Sequence, residues 1–283
     1  MKKHAYLIMA HHQFGLLEQL LRLLDDERND IFLHIDKKAK GFEWERFAAV
    51  CEKARVIYPK KRVDVRWGTD SQVKCEMLLW ETALRQGPYH YYHLLSGVDL
   101  PLHSQDEIHK RLEHESGSFL SWSDELSVWD QRRLGRYHGI VPTWLPGYRR
   151  WNAMLARAQE KAGVDRMKRR SRTLRKGANW ASLDQAGVAC LVENRRMIKK
   201  ITRFSVCADE VYKQTVLLSR GMKVNRDDLR LVIWEEEDHP EVLTMKHWSR
   251  LCHSQKLFAR KFDPTVDEEV IRSVIRKVCE ENG

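Results

Sequence analysis

AYLIM (residues 5–9), FGLLEQLLRLLDDE (residues 14–27) and IFLHI (residues 31–35) decide the fold. The two outer runs are apolar and have the length of buried strands. The middle piece sets Leu16, Leu17, Leu20, Leu21 and Leu24 on one helical face. A strand, helix, strand unit implies parallel pairing, since parallel neighbours need a crossover whereas antiparallel ones need only a turn. The sequence therefore predicts an α/β protein with a mostly parallel sheet flanked by helices.

The pattern continues outward. WERFAAVCEKA (44–54) reads as a helix, RVIYP (55–59) as a strand, SQVKCEMLLWETALRQ (71–86) as a helix capped by Ser71 and ended by Gly87-Pro88, and YHYYHLL (89–95) as a fourth strand. SGVDLPL (96–102) then makes a turn that presents Asp99 at the carboxyl edge of the sheet, where open α/β sheets bind ligands. Asp99 could equally serve to hold its own turn. SQDEIHKRLEHE (104–115) is a helix and GSFLSW (117–122) a fifth strand. From Ser123 to about Arg175 the periodicity weakens. WDQRRLGRYHG (129–139) and VPTWLPGYRRW (141–151) read as an irregular binding segment ahead of a basic helix near Trp151 to Ala162. NWASL (179–183) is strand-like, DQAGVACLVENRRMIKKI (184–201) helical, LRLVIW (229–234) strand-like, and two helices close the chain. With no repeat or linker, residues 1–283 form one domain, divided into a 1–121 half and a 122–283 half.

FSVCADEVYKQTVLL (204–218) places Asp209 and Glu210 in what reads as the first turn of a helix. Such carboxylates often only complement the helix dipole. They can also be fixed and aimed.

A net charge of +10 and a pI near 9.3 call for an anionic partner. KRRSRTLRK (168–176), within the basic stretch 157–176, suits phosphates of nucleic acid or lipid, or is a solvated face. No apolar run approaches the length of a membrane span, and the histidines after the first strand do not suit a signal-peptide cleavage site. The six cysteines are scattered without zinc spacing and read as free thiols of a reducing compartment. There is no GxxxxGK[ST] and no GxGxxG after the first strand. Nor is there any D-x-D, the usual device for holding a divalent cation against a diphosphate, so a diphosphate here would be neutralised by Lys or Arg. His11 and His12 end the first strand; adjacent histidines on a strand point apart, which favours a polar ligand contact over metal binding.

The succession AYLIMAHHQ, FLHIDKKA, VRWGTDSQVKCEMLL, YYHLLSGVDLPL, FLSW, NWASL, CADEVYKQTVL, LVIW, HPEVLT and LFARKFD resembles the core-2/I-branching β-1,6-N-acetylglucosaminyltransferase and xylosyltransferase family, glycosyltransferase family 14. SGVDLPL and LFARKFD are its most distinctive segments. The resemblance implies a GT-A-like, Rossmann-related fold and metal-independent, inverting transfer of N-acetylglucosamine or xylose from a UDP-sugar to a glycan hydroxyl. No cofactor is implied. It puts the catalytic base on Glu210, with Cys-Ala-Asp-Glu in place of Ser-Pro-Asp-Glu, the diphosphate lysine on Lys261 and a residue near the uridine on Asp36. His11, Arg66, Trp67, Asp99 and Arg260 fall with the donor side, and Trp180 and Trp234 with the sugar pocket. The halves become a nucleotide-binding 1–121 and an acceptor-binding, catalytic 122–283. The irregular region from Trp122 to Arg150 offers Trp122, Asp124, Arg132 and Arg136 to the acceptor. The family's second diphosphate cation, an arginine in the segment matching HPEVLT, is missing, which leaves Lys246, Arg250 or Arg260 to substitute. The absence of an anchor fits a bacterial, cytoplasmic relative, at most associated with the inner membrane face through its basic surface. The partners are then a UDP-sugar and a glycan. A sugar hydrolase, a transferase with another nucleotide sugar, or a nucleic-acid or anionic-surface binder are the alternatives.

Overall fold

The computed structural model describes residues 2–139, 145–168, 173–235 and 239–281; the readings for residues 141–144 and 169–172 lie outside the described residues. Ten strands are described: β1 His4–Ala10, β2 Asn29–Ile35, β3 Arg55–Ile57, β4 Tyr91–Ser96, β5 Leu100–Pro101, β6 Ser118–Phe119, β7 Ser182–Asp184, β8 Val224–Asn225, β9 Arg230–Val232 and β10 Phe258–Arg260. The main sheet runs β3-β2-β1-β4-β7-β6-β8, with a small second sheet β5-β10-β9. β1 pairs in parallel with β2 and with β4, from His4 opposite Asn29 and Tyr91. β7 is antiparallel to both β4 and β6. The chain therefore leaves β1 in one direction to β2 and β3 and returns on its other side as β4, the reversal of strand order that opens a crevice at the carboxyl ends.

Alternation along β1 explains the layering. Tyr6, Ile8 and Ala10 face one core, filled by Leu16, Leu17, Leu20 and Leu21 of helix Phe14–Leu23 and by Val270, Ile271, Val274 and Val278 of helix Glu268–Glu280. Ala5 and Leu7 face the other, filled from helices Asp70–Gln86, Gln185–Glu193 and Tyr212–Ser219. Each fully buried leucine stabilises the fold by roughly 1.5–3 kcal/mol relative to exposure. This is the mixed α/β, mostly parallel, helix-flanked architecture that the sequence predicts. No helix among the described residues is long and apolar enough to cross a membrane. All six cysteines are free thiols.

Several local readings are corrected. The helix after Glu43 stops at Ala48 because Asp25 takes the backbone N–H groups of Glu52, Lys53 and Ala54. The cap of helix Asp70–Gln86 is Thr69, whose Oγ1 accepts from Ser71 N at 3.3 Å, rather than Ser71. The helix read over 184–201 is two, Gln185–Glu193 and Arg195–Thr202, divided at Asn194. LRLVIW pairs in the small sheet through β9. Part of the segment read as irregular is helix Val128–Gly135, opened by a Ser127/Asp130 capping box, and the basic helix begins earlier, as Tyr148–Lys161.

A buried polar chain crosses the sheet. Arg230 Nη1 donates to Ser182 Oγ (2.7 Å), Ser182 Oγ meets His93 Nδ1 (2.7 Å), and His93 Nε2 meets His4 Nδ1 (3.2 Å). Burial pushes His34 and His109 down to about 4, and pushes His4 and His93 well below the usual range; His93 adds to the effect on His4, and Arg230 to that on His93. Unfolded imidazoles titrate near 6.5. Below that pH the unfolded chain takes up protons that the folded chain refuses, so stability is lost as pH falls from about 6.5 to about 4. Asp209, raised to about 7, has the opposite sign but is one group against four. The unfolding free energy is expected to fall between pH 7 and pH 5, by up to about 1.4 kcal/mol per pH unit for each imidazole titrating, and the urea midpoint with it. A flat midpoint over that range would refute the assignment.

Candidate active site

A cavity of about 1220 Å³ opens over the carboxyl ends of β1, β2 and β4. A smaller one, about 250 Å³, lies at the amino end of β1 beside His4 and Arg28. The larger cavity gathers His11, Asp36, Arg66, Trp67, Trp180, Glu210, Trp234, Arg260 and Lys261 from the predicted set. Asp36 follows β2 and uses its carboxylate on the backbone N–H groups of Lys38 (2.8 Å) and Val65 (3.1 Å), which fixes the loop on this side of the cavity. Trp67, 87% exposed, and Trp234, 57% exposed, stand at the mouth. His11 and His12 do not point apart: they lie beyond the strand, where alternation has ended, and their rings stack at 4.0 Å.

The acidic pair does not open an α-helix. Ala208–Glu210 is a separate 3-10 turn, and the helix proper is Tyr212–Ser219. Cys207 before the turn is left-handed (φ 48°, ψ 45°), which costs a side-chain-bearing residue roughly 1–2 kcal/mol. Arg133, on helix Val128–Gly135, offsets this. Its Nη1 donates to Val206 O (3.1 Å) and Cys207 O (2.8 Å), its Nη2 to Glu210 Oε2 (2.8 Å), and its Nε to Asp130 (2.8 Å). Lys176 Nζ is 3.8 Å from the same Glu210 oxygen. Glu210 Oε1 has no partner among the described residues.

Two glycines let the flanking segments approach this turn. A Cβ on Gly177 would lie 1.8 Å from Ser121 O, and its N–H donates to Glu210 O at 2.8 Å. Gly68, with φ +71°, presents its carbonyl to Cys207 N at 3.0 Å. Asp209 is 6% exposed, and its Oδ2 accepts from Gln72 Nε2 at 2.8 Å. Burial first, then Glu76, pushes its carboxyl up to about 7. Beneath it, fully buried Lys213 donates to Glu76 (2.8 Å), Asn179 Oδ1 (2.5 Å) and Asp209 O (3.0 Å).

In the same cavity, the Arg260 guanidinium lies over the Trp180 ring at 4.3 Å with its Nε 3.3 Å from Asp99. Burial lowers its pKa, Asp99 opposing. Its Nη atoms have no partner among the described residues, and neither has Lys261 Nζ. Both are cationic hydrogen-bond donors suited to an anion.

Four expectations differ from the geometry. Asp99 is 1% exposed and does not line the cavity; it bonds Ser96 N (2.8 Å) and Ser96 Oγ (2.5 Å), so it holds the turn and orients Arg260. Trp122 and Asp124 are joined to each other and to Arg226, away from the lining. Arg132 pairs with Glu160 at 3.5 Å, as does Arg136 at 2.9 Å, because the helix turns Arg133 inward and Arg132 outward. Of the substitutes for the missing arginine only Arg260 lines the cavity: Arg250 is exposed elsewhere and Lys246 pairs with Glu241 (2.9 Å) and Glu235 (3.6 Å). Glu235, Glu241 and His247 form the one group among the described residues spaced for a metal ion, and the Lys246 ammonium already supplies it with a cation. Within the basic stretch, Arg166 is spent on the carbonyl groups of Leu134, Lys200, Ile201 and Arg203. Arg133, Asp209 and Asn179 are site residues that the sequence did not single out for these roles. The spacing Asp130-x-x-Arg133 on a capped helix was the available signal for the first.

The site is a crevice at the carboxyl ends of parallel strands, lined by one carboxylate turn and by the cations Arg260 and Lys261, a ligand-binding position of the open α/β class. The family model of the Core-2/I-Branching enzyme matches residues 4–261, and the chain belongs to that glycosyltransferase family. The family uses a nucleotide-sugar donor and a glycan acceptor, and its GT-A-like architecture agrees with the sheet described above. No curated protein matches the chain. The crystal structure of mouse xyloside xylosyltransferase 1, apo form, aligns over 92% of this chain and 97% of that one, at 9% identity and a TM-score of 0.41. Core-mannan synthase A from Aspergillus fumigatus, in its Mn/GDP form, aligns over 75% of this chain and 68% of that one, at 14% identity and a TM-score of 0.33. Neither likeness is close enough to inform substrate choice.

Proposed function

We propose that the protein is an inverting, metal-independent glycosyltransferase that moves N-acetylglucosamine or xylose from a UDP-sugar to a hydroxyl of a glycan acceptor. One observation carries this reading: Glu210 and the Arg260/Lys261 pair line a single cavity over the strand ends. A sugar hydroxyl is a weak nucleophile, and Glu210 Oε1 takes its proton as the new bond forms. Inversion by direct displacement needs only that one carboxylate, with no covalent intermediate. The departing UDP carries the developing charge, which Lys261 and the Nη groups of Arg260 stabilise in place of a divalent ion. Residues 1–121 supply the nucleotide wall, and 122–283 supply the base, the acceptor face and this cation pair.

The test is a thermal-shift titration with UDP and a panel of UDP-sugars in excess EDTA, since a ligand that binds only the folded state raises its apparent stability. Binding is expected under EDTA, with Lys261→Ala losing about ten-fold or more in UDP affinity, in line with the worth of a charge-assisted contact. A strict requirement for a divalent ion, or undiminished UDP affinity in Lys261→Ala, would refute the cationic role.

A further inference from the structure

Among the described residues, the wall behind the acidic turn holds four buried side-chain atoms with no hydrogen-bond partner, Glu76 Oε1, Gln214 Oε1, Asn179 Nδ2 and Asp209 Oδ1, and of these residues Asn179 and Asp209 reach the cavity. Both residues line the cavity, and both are more than nine-tenths buried, at 7% and 6% exposure. Their orientations are fixed by neighbours. An ammonium can only donate, so the Lys213 Nζ contact at 2.5 Å identifies the atom facing it as Asn179 Oδ1. The amide nitrogen, with two N–H donors, is thereby turned away from Lys213. The backbone beside it is also held: Gly177 N bonds Glu210 O (2.8 Å), Ala178 N bonds Ser121 Oγ (3.0 Å), and Gln214 Nε2 bonds Ala178 O (2.8 Å). On Asp209, Gln72 occupies Oδ2 and Lys213 the main-chain carbonyl, leaving Oδ1.

Buried donors and carboxyl oxygens are rarely left without partners, and one amide N–H beside one carboxyl oxygen is the complement of a hydroxyl, which accepts and donates at once. We propose that Asn179 and Asp209 read a hydroxyl of the transferred sugar: Asn179 Nδ2 donates to its oxygen and Asp209 Oδ1 takes its hydrogen. This rests on the UDP-sugar reading above and adds a specificity element to it. The pair sits beside the Glu210 turn rather than with Asp36 at the nucleotide end, so it senses the sugar and not the uridine. Lys213 is a positioning residue that sets the amide.

Asn179→Asp is the informative substitution, because it keeps an oxygen toward Lys213 while removing the N–H donors; Asp209→Asn is its counterpart. The experiment measures the affinity of wild type and both variants for UDP and for the UDP-sugar that wild type binds best, with melting curves to verify folding. Each variant is expected to bind UDP within about two-fold of wild type and the UDP-sugar about ten-fold or more weaker, as for a lost hydrogen bond that leaves a buried partner unpaired. An unchanged ratio of UDP-sugar to UDP affinity in both variants overturns this inference alone. Failure of wild type to bind UDP or any UDP-sugar overturns the functional reading, and this inference with it.

Discussion

Glu210→Gln is expected to lower the turnover number about a thousand-fold while leaving UDP affinity within two-fold of wild type. The substitution keeps shape and a hydrogen-bond acceptor for Arg133, whose Nη2 lies 2.8 Å from Glu210 Oε2. What it removes is the ability of Oε1 to take a proton. A positioned general base contributes on the order of 10²–10⁴ in rate; Asp209 has one oxygen on Gln72 and the other committed to the transferred sugar in the inference above, and Lys176 and Arg133 carry the wrong charge. In the proposed function the donor is held by Asp36, Arg260 and Lys261, none of which pairs with Glu210, so its binding is expected to survive. Initial rates at saturating donor, together with UDP titration of the same preparation, check both halves. Wild-type turnover in the variant would remove Glu210 from the chemistry, and a joint loss of turnover and UDP binding would show that the turn had collapsed instead.

The sequence carried the fold well where periodicity was strong and both faces of an element were apolar, as in β1, β2 and the leucine face of Phe14–Leu23. It carried the end of the first strand because position along a parallel strand fixes which end a side chain occupies; His11 could be placed that way, while Asp36 came from the family resemblance. Glu210, Lys261 and Trp180 came from the family resemblance, and they converge on one cavity. What the sequence could not supply was phase and partner. Arg132 and Arg133 are indistinguishable as letters; only the capped helix from Val128 turns Arg133 into the core, 3% exposed, and Arg132 toward Glu160. Asp99 has the right location but the wrong neighbours, since Ser96 and Arg260 use its carboxylate. The left-handed Cys207 was also illegible, because a buried arginine 74 residues away in sequence, not the local sequence, makes that conformation tolerable.

Lys213→Met is expected to destabilise the protein by about 3–5 kcal/mol, whereas the double substitution Glu76→Gln with Lys213→Met is expected to recover most of that loss. Lys213 and Glu76 are both fully buried and 2.8 Å apart. Removing the ammonium leaves Glu76 charged without a counter-ion, and it also strips a donor from Asn179 Oδ1 and Asp209 O. Tyr212, whose hydroxyl donates to Glu76 at 2.7 Å while accepting from Trp80 Nε1 at 2.9 Å, cannot compensate a full charge. Neutralising Glu76 as well removes the penalty of a lone buried charge and keeps an acceptor for Tyr212. Urea unfolding at neutral pH would separate the cases: the single variant should unfold at a markedly lower midpoint, and the double variant close to wild type. A single variant as stable as wild type would mean that the pair contributes nothing to the fold. If the double variant is stable yet still discriminates UDP-sugar from UDP as wild type does, Lys213 is not what orients the Asn179 amide. The ion pair would then hold only the helix Asp70–Gln86 against Tyr212–Ser219. Recovered stability with lost sugar discrimination is the result expected of a buried pair kept for orientation, because an apolar replacement restores packing without restoring the direction in which an amide points.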